Sequence, residues 1–422
     1  MNRYRKTLWM FLAVLLFITT SRTYACTSFI VSGKATKDGR PLIFKNRDTG
    51  EVNNVVVVAQ GERYRYMGIT ASWDKKPAEI WGGHNEAGFA IINTAAYNMN
   101  GCEGKDTDSD GKLMRRALEI CRTLADFEHL LDTLPQPRDL NSNFGVLDSE
   151  GGCAYYETGN YGFTKFDAND PNEAPNGYLI RTNHGLTGCR DIDRGVERFM
   201  AITDFMAEAH RKGNLDCEYL IANVPRYLTH GLTKQNLYDQ LPKDENDTRY
   251  IHFSEFIPRY ITSSALLVQG VKPGETASHI ISWTNIGWPC ASVAIPLILE
   301  EDVPLPSIVQ RGEKDKSWLC SKSIEQKKKV FSLKRGNVRD YIDLSKLVNA
   351  AGTGIVAHYA FGARGVQLCS RSIEESEKRE GRTNFARILR MGGRICLGTL
   401  SCRLSLECCT REPKALKRQA IE

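Results

Sequence analysis

Short apolar runs broken by glycine-bearing turns set the pattern of this chain. Thr27-Ser28-Phe29-Ile30-Val31 and Leu42-Ile43-Phe44-Lys45 are β-prone, and Lys37-Asp38-Gly39 between them supplies turn residues that tolerate positive φ, so the pair predicts a hairpin. Asn85-Glu86-Ala87-Gly88 is a turn feeding the apolar Phe89-Ala90-Ile91, and Tyr178-Leu179-Ile180 is another short run. Ile280-Ile281-Ser282-Trp283, Gly287-Trp288-Pro289 and Ala291-Ser292-Val293-Ala294-Ile295 predict strand, turn, strand at the close of a β-layer. Two stretches have helical spacing instead. Leu113, Ala117, Cys121, Leu124 and Leu131 predict a helix capped by Asp110, and Ile192, Val196, Phe199, Met200 and Met206 predict one from about Asp191 to Arg211. Lys327-Lys328-Lys329 reads as a solvated face. Strands interleaved with helices predict an α+β fold of sheets covered by helices.

Composition removes several function classes. With 422 residues, 25% charged and 41% hydrophobic, the chain is an ordinary globular mixture, which excludes a collagenous, disordered or multi-span membrane protein. The formal charge of +6 does not signal nucleic acid, because it lies at the ends. Residues 1–25 hold Arg3, Arg5, Lys6 and Arg22 with no acid, residues 362–422 hold 13 basic against 7 acidic groups, and residues 26–361 hold 39 basic against 43 acidic. Residues 1–25, basic and then apolar and then polar up to a small residue, predict a signal peptide cleaved after Ala25, and hence a secreted or periplasmic protein without a stable membrane span. Residues 26–361 are expected to form the catalytic domain. Residues 362–422, rich in arginine and holding five of the thirteen cysteines, are expected to be an irregular basic tail outside that fold.

Metal chemistry finds no support. No C-x-x-C, H-x-x-x-H or H-E-x-x-H pair occurs, and the calcium-like run from Asp106 to Gly111 has Ala117 where the twelfth-position glutamate is required. No cofactor is expected. The odd cysteine total would leave at least one free thiol after export.

Cleavage after Ala25 would make Cys26 the first residue of the mature chain, which has two readings. One is a lipoprotein acylated at Cys26, but Thr23-Tyr24-Ala25 suits such a signal poorly. The other is an N-terminal nucleophile, its thiol attacking a carbonyl while its own α-amine, with an ordinary pKa of about 7.7 to 8, serves as base. The hairpin would carry Lys45-Asn46-Arg47-Asp48 back beside Cys26. Taken alone, that tetrad reads as solvated charges, Asn183 as a strand-end turn residue and Arg259 as a surface arginine. His84 and His184 remain candidate bases for a Cys-His dyad.

Cys26-Thr27-Ser28, Lys37-Asp38-Gly39 and Asn46-x-Asp48 together resemble the start of the N-terminal nucleophile amidohydrolases that include choloylglycine (bile salt) hydrolases, penicillin acyltransferases of the isopenicillin N type and related cysteine dipeptidases. Asn85-Glu86-Ala87-Gly88 with Asn93 beyond it, Arg181-Thr182-Asn183-His184, and Arg259 within Phe256-Ile257-Pro258-Arg259-Tyr260 are similar to later segments of that group, in the same order. The resemblance implies a four-layer αββα sandwich and hydrolysis of a linear amide, with acyl transfer as a variant. It implies Cys26 as nucleophile, Asn183 in the oxyanion hole, and Asp48 and Arg259 at the amine and substrate. Lys45, Arg47 and Asn93 are further candidates, Lys45 standing where the bile salt hydrolases carry arginine. The expected partner is a small-molecule amide.

Overall fold

The computed structural model describes residues 26–101, 109–190, 194–301, 303–334 and 340–359. The signal segment 1–25, the tail 362–422, residues 106–108 of the calcium-like run and residues 191–193 at the expected start of the second helix lie outside them.

The hairpin forms as its pattern predicts. Strands β1 (Thr27–Val31) and β2 (Leu42–Asp48) pair antiparallel, Thr27 opposite Asn46 and Val31 opposite Leu42, with Gly39 at φ 75° in the connection. β2 runs on through Asp48, so the charged tetrad lies within the strand and not beyond it. Next come β3 (Asn54–Gln60), β4 (Arg65–Ala71), β5 (Gly83–Asn85) and β6 (Ala90–Ala95). Helices α1 (Asp110–Ile120) and α2 (Leu124–Thr133) lead into β7 (Ser142–Leu147), β8 (Cys153–Thr158) and β9 (Phe163–Asp167). Strands β3 to β9 form one antiparallel sheet in sequence order.

The rest of the chain returns to the hairpin. After β10 (Tyr178–Arg181) come helices α3 (Val196–Arg211) and α4 (Cys217–Asn223), then β11 (Tyr250–His252), β12 (Thr262–Gln269), β13 (Ile281–Ile286) and β14 (Ile295–Leu297). Helix α5 (Trp318–Val330), β15 (Tyr341–Asp343) and α6 (Leu344–Leu347) follow, and β15 pairs with β11. The hairpin's sheet has the order β10-β1-β2-β12-β13-β14, so β1 and β2 lie between strands contributed much later in sequence.

Three apolar clusters show the layering. One lies between the sheets and joins Ile30, Ile43 and Val268 to Met67, Ile92 and Tyr155. A second joins the outer face of the hairpin's sheet (Phe29, Phe44, Leu267) to α3 and α4 through Ile202, Phe205 and Leu220. A third joins the outer face of the other sheet (Ile91, Phe144, Tyr156) to α1 and α2 through Leu118, Phe127 and Leu131. Helix, sheet, sheet and helix is the αββα sandwich, and strands such as β1, β2, β7, β8 and β12 alternate between two buried faces. Among the described residues no helix is long and apolar enough to cross a membrane.

The helices differ from expectation in detail. The stripe from Leu113 to Leu131 is two helices, because Thr123 starts a new one with a capping box in which its side chain and that of Asp126 bond each other's backbone N–H. Asp110 is the first helical residue and not the cap; its carboxylate is turned to Asn93. On α3 the buried face is Arg198, Ala201, Ile202, Phe205, Met206 and Ala209, whereas Val196, Phe199 and Met200 are half-buried. The helix is turned to bring Arg198 inward.

Candidate active site

Alternation along β1 and β2 sorts the charged residues. Ile30 and Ile43 belong to the cluster between the sheets, whereas Phe29, Val31 and Phe44 face the helices. Period two then sends Cys26, Ser28, Lys45 and Arg47 between the sheets, and Thr27, Asn46 and Asp48 toward α3. Contacts agree: the Ser28 hydroxyl meets Tyr155 of the other sheet at 2.6 Å, and Arg198 of α3 donates to Thr27 Oγ1 at 3.2 Å. All members of the tetrad are buried.

On the helix side the charges form a paired network. Asp48 Oδ2 accepts from Arg259 Nε at 2.8 Å, and Oδ1 accepts from the Thr262 hydroxyl at 2.6 Å and from Asn46 Nδ2 at 3.4 Å. Burial pushes the Asp48 carboxyl upward while the Arg259 guanidinium pulls against it. Arg259 also pairs with Glu255. Burial would raise the Glu255 carboxyl, but Arg198 and Arg259 bring it below the usual carboxylate range. Arg259 is thus no surface arginine.

Between the sheets, Lys45 Nζ donates to the Trp81 carbonyl at 2.9 Å and to Asn93 Oδ1. Burial lowers this ammonium to about 8, opposed by the proximity of Cys26. Asn93 Nδ2 donates to Asp110 Oδ2 and Ser142 Oγ, both at 3.0 Å, so its amide hydrogens are committed within the protein and its contribution to the site is the oxygen that holds Lys45. Burial raises Asp110 to about 6. Arg47 donates to Asn54 Oδ1 at 2.6 Å and stacks over Trp81 at 4.9 Å.

Asn183 stands two residues beyond the end of β10 and reaches Cys26. The Cys26 main-chain N donates to Asn183 Oδ1 at 2.9 Å, and Asn183 Nδ2 donates to the Ala95 carbonyl at 2.9 Å. The loop that carries it is held by buried polar side chains. Asn143 Nδ2 donates to the carbonyls of Thr182 and His184, Asn98 bonds both the N–H and the carbonyl of Gly185, and Glu157 accepts the N–H groups of Leu186 and Thr187. Such support fixes the amide before any ligand arrives.

Cys26 is buried and not in a disulfide. Cys121, Cys153, Cys217, Cys290 and Cys320 are also free and buried, and burial pushes each of these thiols up, Cys290 to about 12 and Cys320 to about 11. Cys189 is disulfide-bonded. Neither candidate histidine base is hydrogen-bonded to Cys26. His84 bonds Ser282 across the interior at 2.7 Å, and burial lowers it to about 3; His184 contacts Thr182 and the Arg194 carbonyl.

Sequence reasoning missed three residues. Arg198 donates to the Cys26 carbonyl at 2.6 Å and to Asn183 Oδ1 at 2.9 Å, and Glu255 joins it to Arg259. Lys327, expected on a solvated face, is buried: its ammonium donates to the carbonyls of Tyr260 and Thr262, and burial lowers it to about 8. Its neighbours Lys328 and Lys329 are exposed, so only the position facing the Arg259 turn departs from expectation.

The model of the acyl-coenzyme A:6-aminopenicillanic acid acyl-transferase family matches residues 35–265, a span that takes in Lys45, Asp48, Asn93, Asn183, Arg198 and Arg259. No match was found among curated proteins. Among solved structures, the chain is similar to the Caenorhabditis elegans ortholog of N-acylethanolamine-hydrolyzing acid amidase, at 16% identity over 46% of this chain and 84% of that one, with a TM-score of 0.35. It is also similar to a mutant conjugated bile acid hydrolase from Clostridium perfringens (14% identity, 62% and 89% covered, TM-score 0.36). Penicillin V acylase from Agrobacterium tumefaciens is a further neighbour (11% identity, 65% and 87% covered, TM-score 0.34).

Proposed function

Because the chain belongs to the acyl-coenzyme A:6-aminopenicillanic acid acyl-transferase family, an N-terminal nucleophile group whose chemistry is amide hydrolysis or acyl transfer, we propose a secreted hydrolase of linear amides whose nucleophile is Cys26. Cleavage after Ala25 frees the α-amine. The thiolate sulfur attacks the amide carbonyl carbon, the α-amine takes the thiol proton and passes it to the leaving nitrogen, and the C–N bond breaks to leave a thioester on Cys26. Water, giving its proton to the same amine, releases the acid and restores the thiol; an acceptor amine in place of water makes the reaction a transfer.

Asn183 Nδ2 supplies a donor to the oxyanion, a contribution of about 3 kcal/mol. Asp48 and Arg259 position the amine and the substrate, and the Lys45 and Arg47 cations favour the thiolate. The observation that carries this reading is the 2.9 Å contact of the Cys26 main-chain N with Asn183 Oδ1, which puts the prospective base beside the prospective oxyanion donor. The substrate class is an N-acyl amino acid, a bile-salt-like amide, a penicillin-type amide or a dipeptide.

The test is turnover of a panel of N-acyl amides and dipeptides by the wild type, Cys26→Ser and Cys26→Ala. Equal rates in all three would refute the nucleophile. Intact mass of the mature chain gives a second check: an unmodified start at Cys26 is expected, and an acylated Cys26 would make the protein a lipoprotein with no thiol to react.

A further inference from the structure

One guanidinium ties together four groups on the helix side of the site. Arg198, fully buried on α3, donates to the Cys26 carbonyl, Thr27 Oγ1 and Asn183 Oδ1, and through Nε to Glu255 Oε2 at 2.9 Å. The other Glu255 oxygen accepts from Arg259, whose Nε in turn holds Asp48 at 2.8 Å. A chain of charged contacts thus runs from Cys26 through Arg198, Glu255 and Arg259 to Asp48. We propose that Arg198 and Glu255 form a positioning bridge that locks the nucleophile's main chain, Asn183 and Arg259 into one geometry; this rests on the nucleophile reading above.

Two features of different kinds support the bridge. A planar guanidinium can grip β1, Asn183 and Glu255 at once, which a flexible ammonium cannot do. Glu255 also stands at φ 57°, in the left-handed region that a residue with a Cβ holds only when its surroundings impose it. Strain of this kind, at a residue whose carboxylate joins two arginines, fits a residue kept for where it puts its charge. Its two partners hold that carboxyl in the ionised form.

Turnover and thermal midpoint are measured together for the wild type, Arg198→Gln, Arg198→Lys, Glu255→Gly and Cys26→Ala. Arg198→Gln is expected to lower kcat about 100-fold with KM within about threefold of the wild type, because the nucleophile is misplaced while no substrate contact is removed. Arg198→Lys should recover about tenfold of that loss, since the charge returns without the fork. Glu255→Gly separates positioning from folding: the relief of the left-handed backbone offsets part of the cost of leaving Arg198 without its carboxylate, so the midpoint should fall less than in Arg198→Gln while kcat still falls about tenfold. Wild-type kcat in both Arg198→Lys and Glu255→Gly would overturn the bridge, as would kcat losses that merely track the midpoint across the set. A wild type no faster than Cys26→Ala would overturn the nucleophile reading itself, and the bridge with it.

Discussion

The two outer faces of the sandwich are built alike and filled differently. Over β3–β9, helices α1 and α2 press Leu113, Ala117, Phe127 and Leu131 against Phe89, Ile91, Phe144 and Tyr156. The polar residues admitted there act as ties: Asn85 Nδ2 donates to the carbonyls of Leu118 and Cys121 and its Oδ1 accepts from the N–H groups of Ala87 and Phe89, Asp148 accepts the N–H of Leu124, and Arg138 donates to the Leu131 carbonyl. Over the hairpin's sheet, α3 and α4 press a similar apolar face, but beside Cys26 the layer admits Asp48, Arg198, Glu255 and Arg259. Buried ion pairs add little net stability, because desolvation takes back most of the Coulomb gain. One face is therefore organised for stability, and the other surrenders some of it at one end to fix a pattern of charge.

Substitutions can break this contrast or sharpen it. Cys26→Ala should show the largest effect, at least about a 10⁴-fold loss of amide turnover with an unchanged thermal midpoint; a matching fall in the midpoint would mean that the thiol end also carries the fold. Phe127→Ala, on the other face, should cost about 4 kcal/mol in denaturant unfolding while the surviving folded enzyme keeps its kcat. Reduced kcat there would join the two faces. Asn183→Ala should lower kcat about 100-fold, near 3 kcal/mol in the transition state, with less loss of stability than Phe127→Ala.

The smallest effect is one of pH. Lys45 is a cation below about 8 and neutral above it. If its charge favours the thiolate, kcat/KM should fall as pH rises through about 8, roughly tenfold by pH 9, and Lys45→Arg should stay level over that range. Parallel profiles in the two proteins would remove Lys45 from the chemistry. The stability contribution has the opposite sign: the unfolded lysine keeps its proton to its ordinary 10.5, so between about 8 and 10.5 the unfolded chain binds more protons and the Lys45 contribution to stability rises with pH.

What was legible in the sequence was local or ordered along the chain. The hairpin followed from two β-prone runs and Asp38-Gly39, and the residues that converge on Cys26 were reachable because three motifs kept the order of a known group. The tetrad was ambiguous alone, since four polar residues at a strand end look solvated; its burial comes from β12, which lies more than two hundred residues away in sequence and pairs with β2 along its length. Arg198 did leave a trace, standing four residues before Ile202 and seven before Phe205 and so on the same helical face. Lys327 left a similar one, four after Ser323 and three before Val330. A lone cation on an apolar stripe is easily discounted in favour of the surface. Glu255 left none: no glycine or asparagine marks its left-handed backbone, and its partner Arg198 stands 57 residues away on α3. Thr123-x-x-Asp126 announced the break between α1 and α2 and was masked by a hydrophobic spacing that ran on through it.

The Lys327 clamp bears on where the working unit stops. The family match ends at residue 265, and a chain trimmed there would keep Cys26, Asp48, Asn183 and Arg259 intact. It would lose α5, and with it the ammonium that holds the Tyr260 and Thr262 carbonyls behind the Asp48–Arg259 pair. Two carbonyls would be left facing a void, and the turn that aims Arg259 would be free to relax. The matched segment holds Asp48, Asn183 and Arg259, Cys26 lies just ahead of it, and part of what holds them in place comes from the chain's own later helix, so the smallest piece worth expressing for catalysis runs from Cys26 at least through Val330.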